Sequence, residues 1–555
     1  MKLLWLDINS SYAHSSLALP AIHAQTLNRE NPAGIVWEAL SGTVATPVAQ
    51  IVNEAVSRRP DIVAATCWLF TVEQIIRLTG RIKALLPECI ILLGGPEFLG
   101  DNEPFLRTNR FVEGVFRGEG EEEVPRWLDR INQKSAWKEL KGVCYLDAEG
   151  NYHDGGLARI KDFHRLVPPE QSPFFDWSKP FVQLETTRGC FNSCSFCVSG
   201  GEKPVRTLSL ETVLERISLI HRHGIRNIRI LDRTFNYNPI RAQEMLHLFA
   251  AFAPDIRFHL EIHPALLNET IRQTLASMPQ GALHLEAGIQ SLRSNVLQTA
   301  QRAGSLEASL DGLTFLCSLP NLETHADLIA GLPHYSYPQI EEDVYRLARI
   351  GAGEIQLESL KLLPGTRMRE RAEELGIRYS PFPPYEVLAS DSMEGNDLYR
   401  SHCLSRLLDG YYNAPAWHLI TRDLLREEPL FLSHFLAYLI KKEVIETPLS
   451  VERRGVLLYT FCREELPHWQ TRISIAWIRA GLSLKKEPAG QLFTKEKELP
   501  TDSWAVTRGH FESRLKLYRL PDTDRDYWFG FDPDTQNRLP IFEAEQPHSP
   551  SFRKG

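Results

Sequence analysis

The eight residues Cys190-Phe191-Asn192-Ser193-Cys194-Ser195-Phe196-Cys197 decide how this chain of 555 residues is read. Their spacing is C-x3-C-x2-C. Three thiolates on one short loop can each reach a different iron of a single cubane, and a [4Fe–4S] cluster ordinarily takes four Cys ligands. No fourth Cys lies nearby in the sequence. The spacing therefore predicts a [4Fe–4S] cluster held by Cys190, Cys194 and Cys197, with one iron open to another ligand. A zinc loop would need a second C-x2-C pair or His ligands further on, and the chain has no second pair. Three buried structural cysteines are the remaining alternative.

Upstream, Phe181-Val182-Gln183-Leu184-Glu185 has the composition of a strand, and Thr186-Thr187-Arg188-Gly189 leads out of it. With these flanks the stretch resembles the radical S-adenosylmethionine (SAM) enzymes, in which the same spacing, with an aromatic before the third Cys (Phe196 here), binds the cluster. The resemblance implies that the open iron chelates the amino and carboxylate groups of SAM. It also implies that the reduced cluster splits the sulfonium to a 5′-deoxyadenosyl radical. The protein then has to hold cluster, SAM and substrate in line and away from water. A low-potential electron donor such as flavodoxin or ferredoxin is implied with it.

The bulk properties fit such an enzyme. The chain is 43% hydrophobic and 24% charged with net charge −8, an ordinary globular balance. It is long enough for two to four domains. No long basic block is present, which disfavours a nucleic-acid partner. The first apolar run is too short for a signal peptide, and the most apolar late stretch, residues 430–440, falls short of the ~20 residues a membrane span needs. Nine Cys, three clustered and six scattered, are not a disulfide framework. A cytoplasmic protein with no membrane association is expected.

Residues 1–165 alternate strand and helix patterns. Strands are expected near residues 3–6, 35–40, 62–66, 90–93 and 114–116, and helical faces over 48–56 and 72–85. This alternation predicts a Rossmann-like, doubly wound domain whose ligand sits beyond the carboxyl ends of the strands. Those ends carry Asn9-Ser10-Ser11-Tyr12, Thr66-Cys67-Trp68-Leu69-Phe70, Gly94-Gly95-Pro96-Glu97 and Arg117-Gly118-Glu119-Gly120-Glu121. The set resembles the cobalamin-binding domain that precedes the barrel in one large branch of radical SAM enzymes. By that resemblance Trp68, Leu69, Gly94, Gly95, Pro96 and Glu97 approach the corrin. The pattern Asp-x-His-x-x-Gly, which supplies a His beneath cobalt in other cobalamin proteins, is missing from the first loop around His14. The similar run at His153 reads as a hairpin turn. The lower face of cobalt is thus expected to lack a His ligand.

A Pro-rich linker at residues 168–173 leads into a second domain, residues 178–375. Helix and strand patterns alternate again, giving six βα units and an expected partial (β/α)6 TIM-type barrel with its chemistry at the strands' carboxyl ends. The second strand ends in Asp232-Arg233, where the family holds the SAM amino and carboxylate groups by resemblance. The fourth ends in Glu286-Ala287-Gly288-Ile289-Gln290-Ser291, whose Glu286 and Gln290 could face SAM or the corrin. The fifth carries Asp327-Leu328-Ile329-Ala330-Gly331-Leu332-Pro333, whose backbone would line the adenine. The third strand alternates, so that Arg257, His259, Glu261 and His263 share one face, either toward substrate or toward solvent.

Residues 379–385 read as a stiff linker. Beyond them the alternation stops and residues 385–545 are expected to be mostly helical, aromatic-rich through Trp469, Trp477, Trp504 and Trp528, with a frayed end from Gln546. This region resembles the uncharacterised extension found on some cobalamin-binding radical SAM proteins. The resemblance implies methyl transfer to an unactivated carbon of a small molecule. One SAM would methylate cobalamin, and a second would yield the radical that abstracts hydrogen. A cyclase similar to the anaerobic magnesium-protoporphyrin IX monomethyl ester cyclases and a non-catalytic cobalamin sensor are the alternatives. Methylthio transfer needs a second cluster on three N-terminal Cys. Cys67 and Cys89 fall at opposite edges of the predicted sheet, a strand length of ~17 Å apart, which argues against it.

Overall fold

The computed structural model describes residues 1–30, 34–488, 494–496, 516–522, 525–532, 539–540 and 542–547. The chain divides into two compact units, Met1–Tyr337 with Ser359–Leu398, and Pro338–Glu358 with Tyr399–Gly555.

The first unit opens with a seven-stranded sheet. Its strands are β1 (Lys2–Asn9), β2 (Val36–Thr43), β3 (Ile62–Thr66), β4 (Ile90–Gly94), β5 (Gly114–Phe116), β6 (Val143–Leu146) and β7 (Tyr152–Asp154), in the order β2-β1-β3-β4-β5-β6-β7. The first five are parallel, and β6 and β7 add the expected hairpin at one edge. Every residue of β3, Ile-Val-Ala-Ala-Thr, is buried, as a strand covered on both faces requires. Helices Val48–Ser57 and Val72–Leu85 cover one face, and Ala18–Ala24 and Glu123–Asp129 cover the other. The strand order reverses between β1 and β3. A crevice forms outside the carboxyl ends of the strands at such a switch point.

Next come β8 (Val182–Leu184), β9 (Thr187–Arg188), β10 (Arg206–Thr207), β11 (Asn227–Ile230), β12 (Arg257–Ile262), β13 (Leu283–Gln290) and β14 (Glu323–Ala330). Strands β8-β11-β12-β13-β14 form parallel neighbours in that order, with helices Leu210–Arg222, Pro239–Ala250, Glu269–Ala276 and Leu306–Ser318 between them. Ser209 caps the first of these by accepting from Thr212 N at 3.1 Å, as its sequence position predicts. Side chains alternate strictly along β12. Phe258 stacks at 4.1 Å on Phe249 of helix Pro239–Ala250, so that face meets the helical layer. Arg257, His259 and Glu261 point to the other, concave side. The sixth expected strand is present as β15 (Glu354–Ser359), whose residues up to Glu358 belong to the second unit. The stretch read as a linker, residues 379–385, joins two short antiparallel strands, β16 (Arg378–Tyr379) and β17 (Val387–Ala389).

The second unit packs helices His418–Glu427, Phe431–Lys441, Val451–Glu465 and Gln470–Arg479 around an aromatic core. Trp417, Trp469 and Trp477 are fully buried there, and Phe431, Phe435 and Phe461 touch ring to ring. The expectation of a mostly helical region holds only to Arg479. Beyond it an antiparallel sheet forms from β18 (Thr494–Glu496), β19 (Lys516–Pro521), β20 (Arg525–Phe531) and β21 (Phe542–Pro547). The run Asp-Tyr-Trp-Phe-Gly-Phe in β20 is rich in aromatics that favour strands, and the Pro521-Asp522 pair at the end of β19 has turn-favouring composition. Trp504 and the residues after Pro547 lie outside the described residues. Among the described residues no helix is long and apolar enough to cross a membrane.

Candidate active site

The cysteine loop is built from its base upward. Asp232, at the end of β11, accepts hydrogen bonds from Thr186 N and Thr187 N at 2.8 Å each and from Thr186 Oγ1. It is buried, and burial pushes its carboxyl up to about 6 against the pull of those bonds. The expectation that Asp232 meets SAM is therefore revised. Its carboxylate is committed to the exit of β8, while its neighbour Arg233 lines the cavity described below. From that exit β9 and β10 pair Thr187 with Thr207 and Arg188 with Arg206, closing the loop that carries the cysteines.

Inside the loop, Cys190 N donates to Glu202 O at 3.0 Å, Gly200 N to Cys197 O at 2.9 Å and Gly201 N to Asn192 O at 2.8 Å. Gly200 is compelled by close approach, because a Cβ there would lie 2.1 Å from Cys194 O. Cys190 and Cys194 are buried, while Cys197 and Phe196 are half-buried. Burial pushes the Cys194 and Cys197 thiols up. A metal must therefore displace protons to bind, which is the ordinary coupling at thiolate sites. Three sulfurs on a loop this tightly bonded fit a cubane with one unligated iron. Cys144 lies in β6, Cys67 directly follows β3, and Cys89 sits just before β4, at the edge opposite Cys67. These three do not assemble a second thiolate set.

Arg302 escaped the sequence reading. Its Nη1 lies 3.7 Å from Cys194 Sγ, and Nη2 donates to Gly288 O. The surrounding segment is sewn to the cysteine loop by Ser195 N donating to Ala300 O at 2.9 Å and Ala303 N to Asn192 Oδ1 at 3.0 Å. No carboxylate among the described residues pairs with this guanidinium. Strand β13 bulges between Gly288 and Gln290, and Gln290 takes φ +70°. An unbranched polar residue held in the left-handed region marks a specialised strand end.

A cavity of about 370 Å³ opens between the cysteine loop and the carboxyl edge of the seven-stranded sheet. Gly94, Gly95, Pro96 and Trp68 line it, as does Arg233. Leu3, Trp5, Ile22 and Trp127 make its depth apolar, and Gly189, Val198 and Ser199 belong to the loop side. Gly95 has φ +109°, and a Cβ there would meet Cys67 O at 2.6 Å. Leu69 is half-buried and does not line the cavity. Glu97 does not line it either. Its carboxylate accepts from Tyr385 Oη, and burial pushes it up.

The turn Gly118–Glu121 bolts the two sides of the cavity together. Arg206 binds Glu119 through two nitrogens at 2.7 Å each, and Arg188 joins Glu121 at 2.8 Å and Glu185 at 2.7 Å. Arg206–Glu119 and Arg188–Glu185 are forked, and such charge-assisted pairs fix geometry as well as adding energy.

Among the described residues no histidine lines this cavity. His14 bonds Ser11 Oγ at 2.7 Å, and His153 bonds Asp147 at 2.8 Å and stacks on Tyr145, in the hairpin the sequence predicts. If cobalamin occupies the cavity, its cob(II)alamin form is expected to give an electron paramagnetic resonance spectrum without nitrogen superhyperfine splitting. Splitting that disappears in His14→Ala would overturn that expectation.

On the concave face, His259 Nε2 lies 2.9 Å from Glu286 Oε2, and Arg233 lies 3.9 Å from Glu261. Burial pushes Glu261 up to about 7. His263, grouped with these by alternation, departs from them. Its Nε2 sits 3.0 Å from Ala303 O, its backbone N–H donates to Asn236 Oδ1, and burial pushes its imidazole down to about 4.

Known proteins match this architecture segment by segment. The Radical SAM superfamily model matches residues 184–347, a B12 binding domain model matches residues 33–128, and a protein of unknown function (DUF4080) matches residues 373–476. An uncharacterised methyltransferase of Pyrococcus horikoshii is 25% identical over 329 residues, covering 56% of this chain and 69% of that one. The hopanoid C-3 methylase of Methylococcus capsulatus is 27% identical over 282 residues, 49% of this chain and 53% of that one. Among solved structures, the cobalamin-dependent S-adenosylmethionine radical enzyme OxsB, with aqua-cobalamin and S-adenosylmethionine bound, superposes with a TM-score of 0.59 at 15% identity. That match covers 88% of this chain and 82% of that one. The cysteine loop and the parallel barrel strands thus fall largely inside a matched domain, and the chain carries a radical SAM domain with a B12-binding domain ahead of it.

Proposed function

We propose that this protein is a cobalamin-dependent radical SAM methyltransferase acting on an unactivated carbon of a small molecule. The observation that carries this reading is the single cavity of about 370 Å³ walled on one side by Gly94–Pro96 and on the other by the cysteine loop. Its apolar depth and its glycine-lined edge suit a large flat cofactor, and its loop side adjoins three thiolates with no fourth. When bound, cluster and SAM supply a carbon-centred radical, and cobalamin supplies the methyl group.

The chain's own residues bind, orient and exclude. Cys190, Cys194 and Cys197 hold the cluster. Arg302 and Arg233 offer guanidinium groups to the carboxylate of SAM, and Glu286 and Gln290 stand at the end of the neighbouring strand. Gly95 lets the sheet edge approach the corrin without a side chain intervening. The forked Arg206–Glu119 pair and the single Arg188–Glu121 contact keep the two cofactor walls at fixed separation, so that reacting groups meet in line.

The test is anaerobic reconstitution with iron, sulfide and hydroxocobalamin, followed by reaction with methyl-labelled SAM and dithionite, or reduced flavodoxin. Cobalamin bound at one per chain, label appearing in methylcobalamin and 5′-deoxyadenosine formation are the expected results. A chain that binds iron but no cobalamin would sink the reading.

A further inference from the structure

Inward positions on β12, β13 and β14 are ionisable almost throughout. His259 stands opposite His284, Glu261 opposite Glu286, and Glu286 opposite His325. These side chains engage each other: the His259 and His284 rings stack at 4.8 Å, and Arg257 reaches His284 Nδ1 at 2.9 Å. The apolar residues of β12, Phe258, Leu260 and Ile262, are all buried on the helix side. The strip is contiguous with the cofactor cavity, because Arg233 lines that cavity and lies 3.9 Å from Glu261. It is also accessible: the Glu261 and Glu286 side chains are 35% and 32% exposed and that of His259 24%.

From this geometry, and resting on the methyl-transfer reading, we infer that the substrate is a polar, water-soluble molecule held on the concave face by His259, Glu261 and Glu286, and not a hydrocarbon lipid. A carbon that reacts between the two cofactors has to be held where the cavity meets this strip. Covering the strip with hydrocarbon would strip water from the Glu261 carboxyl and from the His259–Glu286 pair and leave their remaining hydrogen-bonding positions unmet, which is unfavourable. A substrate carrying N–H or O–H groups keeps those acceptors satisfied. Burial pushes Glu261 up to about 7. Near neutral pH its carboxyl can therefore accept from such a group or, when protonated, donate to one.

The experiment uses the reconstituted holoenzyme with SAM and dithionite. It measures the ratio of 5′-deoxyadenosine formed with and without bacterial extract partitioned into water–methanol and chloroform phases. The water–methanol phase is expected to raise the ratio about tenfold, and His259→Gln and Glu261→Gln to return it to about one, each having kept its iron. The ratio is insensitive to a general loss of SAM cleavage, and a single folded variant suffices for the comparison. Stimulation by the chloroform phase, no stimulation by the aqueous phase, or aqueous stimulation that survives in both variants overturns the inference. Absence of any SAM cleavage in a four-iron protein would instead count against the methyl-transfer reading itself.

Discussion

The Cys190→Ala/Cys194→Ala/Cys197→Ala protein is expected to fall from about four irons per chain to none after anaerobic reconstitution, and to lose SAM cleavage entirely. The three cysteines of the loop are the proposed ligands, and Cys67, Cys89 and Cys144 are buried in or beside the N-terminal sheet, so they are not expected to substitute. Gly200→Ala is expected to produce the same loss with all three cysteines intact. The added Cβ would stand 2.1 Å from Cys194 O and 2.9 Å from Cys197 O, both backbone atoms, so the loop itself has to open. Iron counting and the absorbance of the reconstituted cluster measure both. Four irons retained in the triple variant would mean the cluster lies elsewhere. Four irons in Gly200→Ala would mean the loop is looser than its hydrogen bonds indicate.

Much of this site was legible before any coordinates. Cysteine spacing is a local signal, and a strand end followed by a Gly-rich turn announces a cavity wall in a parallel sheet. Those signals put Gly94, Gly95 and the Glu119–Glu121 turn at the carboxyl edge of the sheet, and there they line the cavity. Side-chain direction was less legible. Asp232 and Arg233 are adjacent on a strand end, and nothing in their order says which turns inward to the Thr-Thr exit and which lines the cavity. The same limit applies to His263: alternation grouped it with His259 and Glu261, but the strand ends at Ile262 and the next residue follows Asn236 instead. Glu97 is a third case, because its partner Tyr385 stands 288 positions away. Arg302 was invisible for a related reason. It lies twelve positions beyond Gln290, past a short helix, and only the fold carries it back to Cys194.

Arg302→Ala should weaken SAM binding about tenfold to hundredfold while leaving iron content unchanged. The guanidinium has five N–H donors, and the described contacts use it only toward Gly288 O and Cys194 Sγ. A cation with no carboxylate partner among the described residues, 3.7 Å from Cys194 Sγ, is placed to take up an anionic group bound at an open iron of the proposed cluster. Losing one charge-assisted bond costs about 1.5–3 kcal/mol, which is that range of affinity. Arg233→Ala tests the other guanidinium at the same end of the barrel and should show a smaller loss, since Glu261 already draws on its charge at 3.9 Å. Asp232→Ala should behave differently from both. It strands Thr186 N and Thr187 N in a buried site, at about 1–3 kcal/mol each, so the base of the cysteine loop loosens and iron falls along with SAM affinity. The three proteins are purified anaerobically, iron is counted, and SAM affinity is measured by equilibrium dialysis. Wild-type affinity in Arg302→Ala would remove it from the SAM site. Full iron in Asp232→Ala, with SAM binding alone reduced, would return that carboxylate to direct contact with SAM.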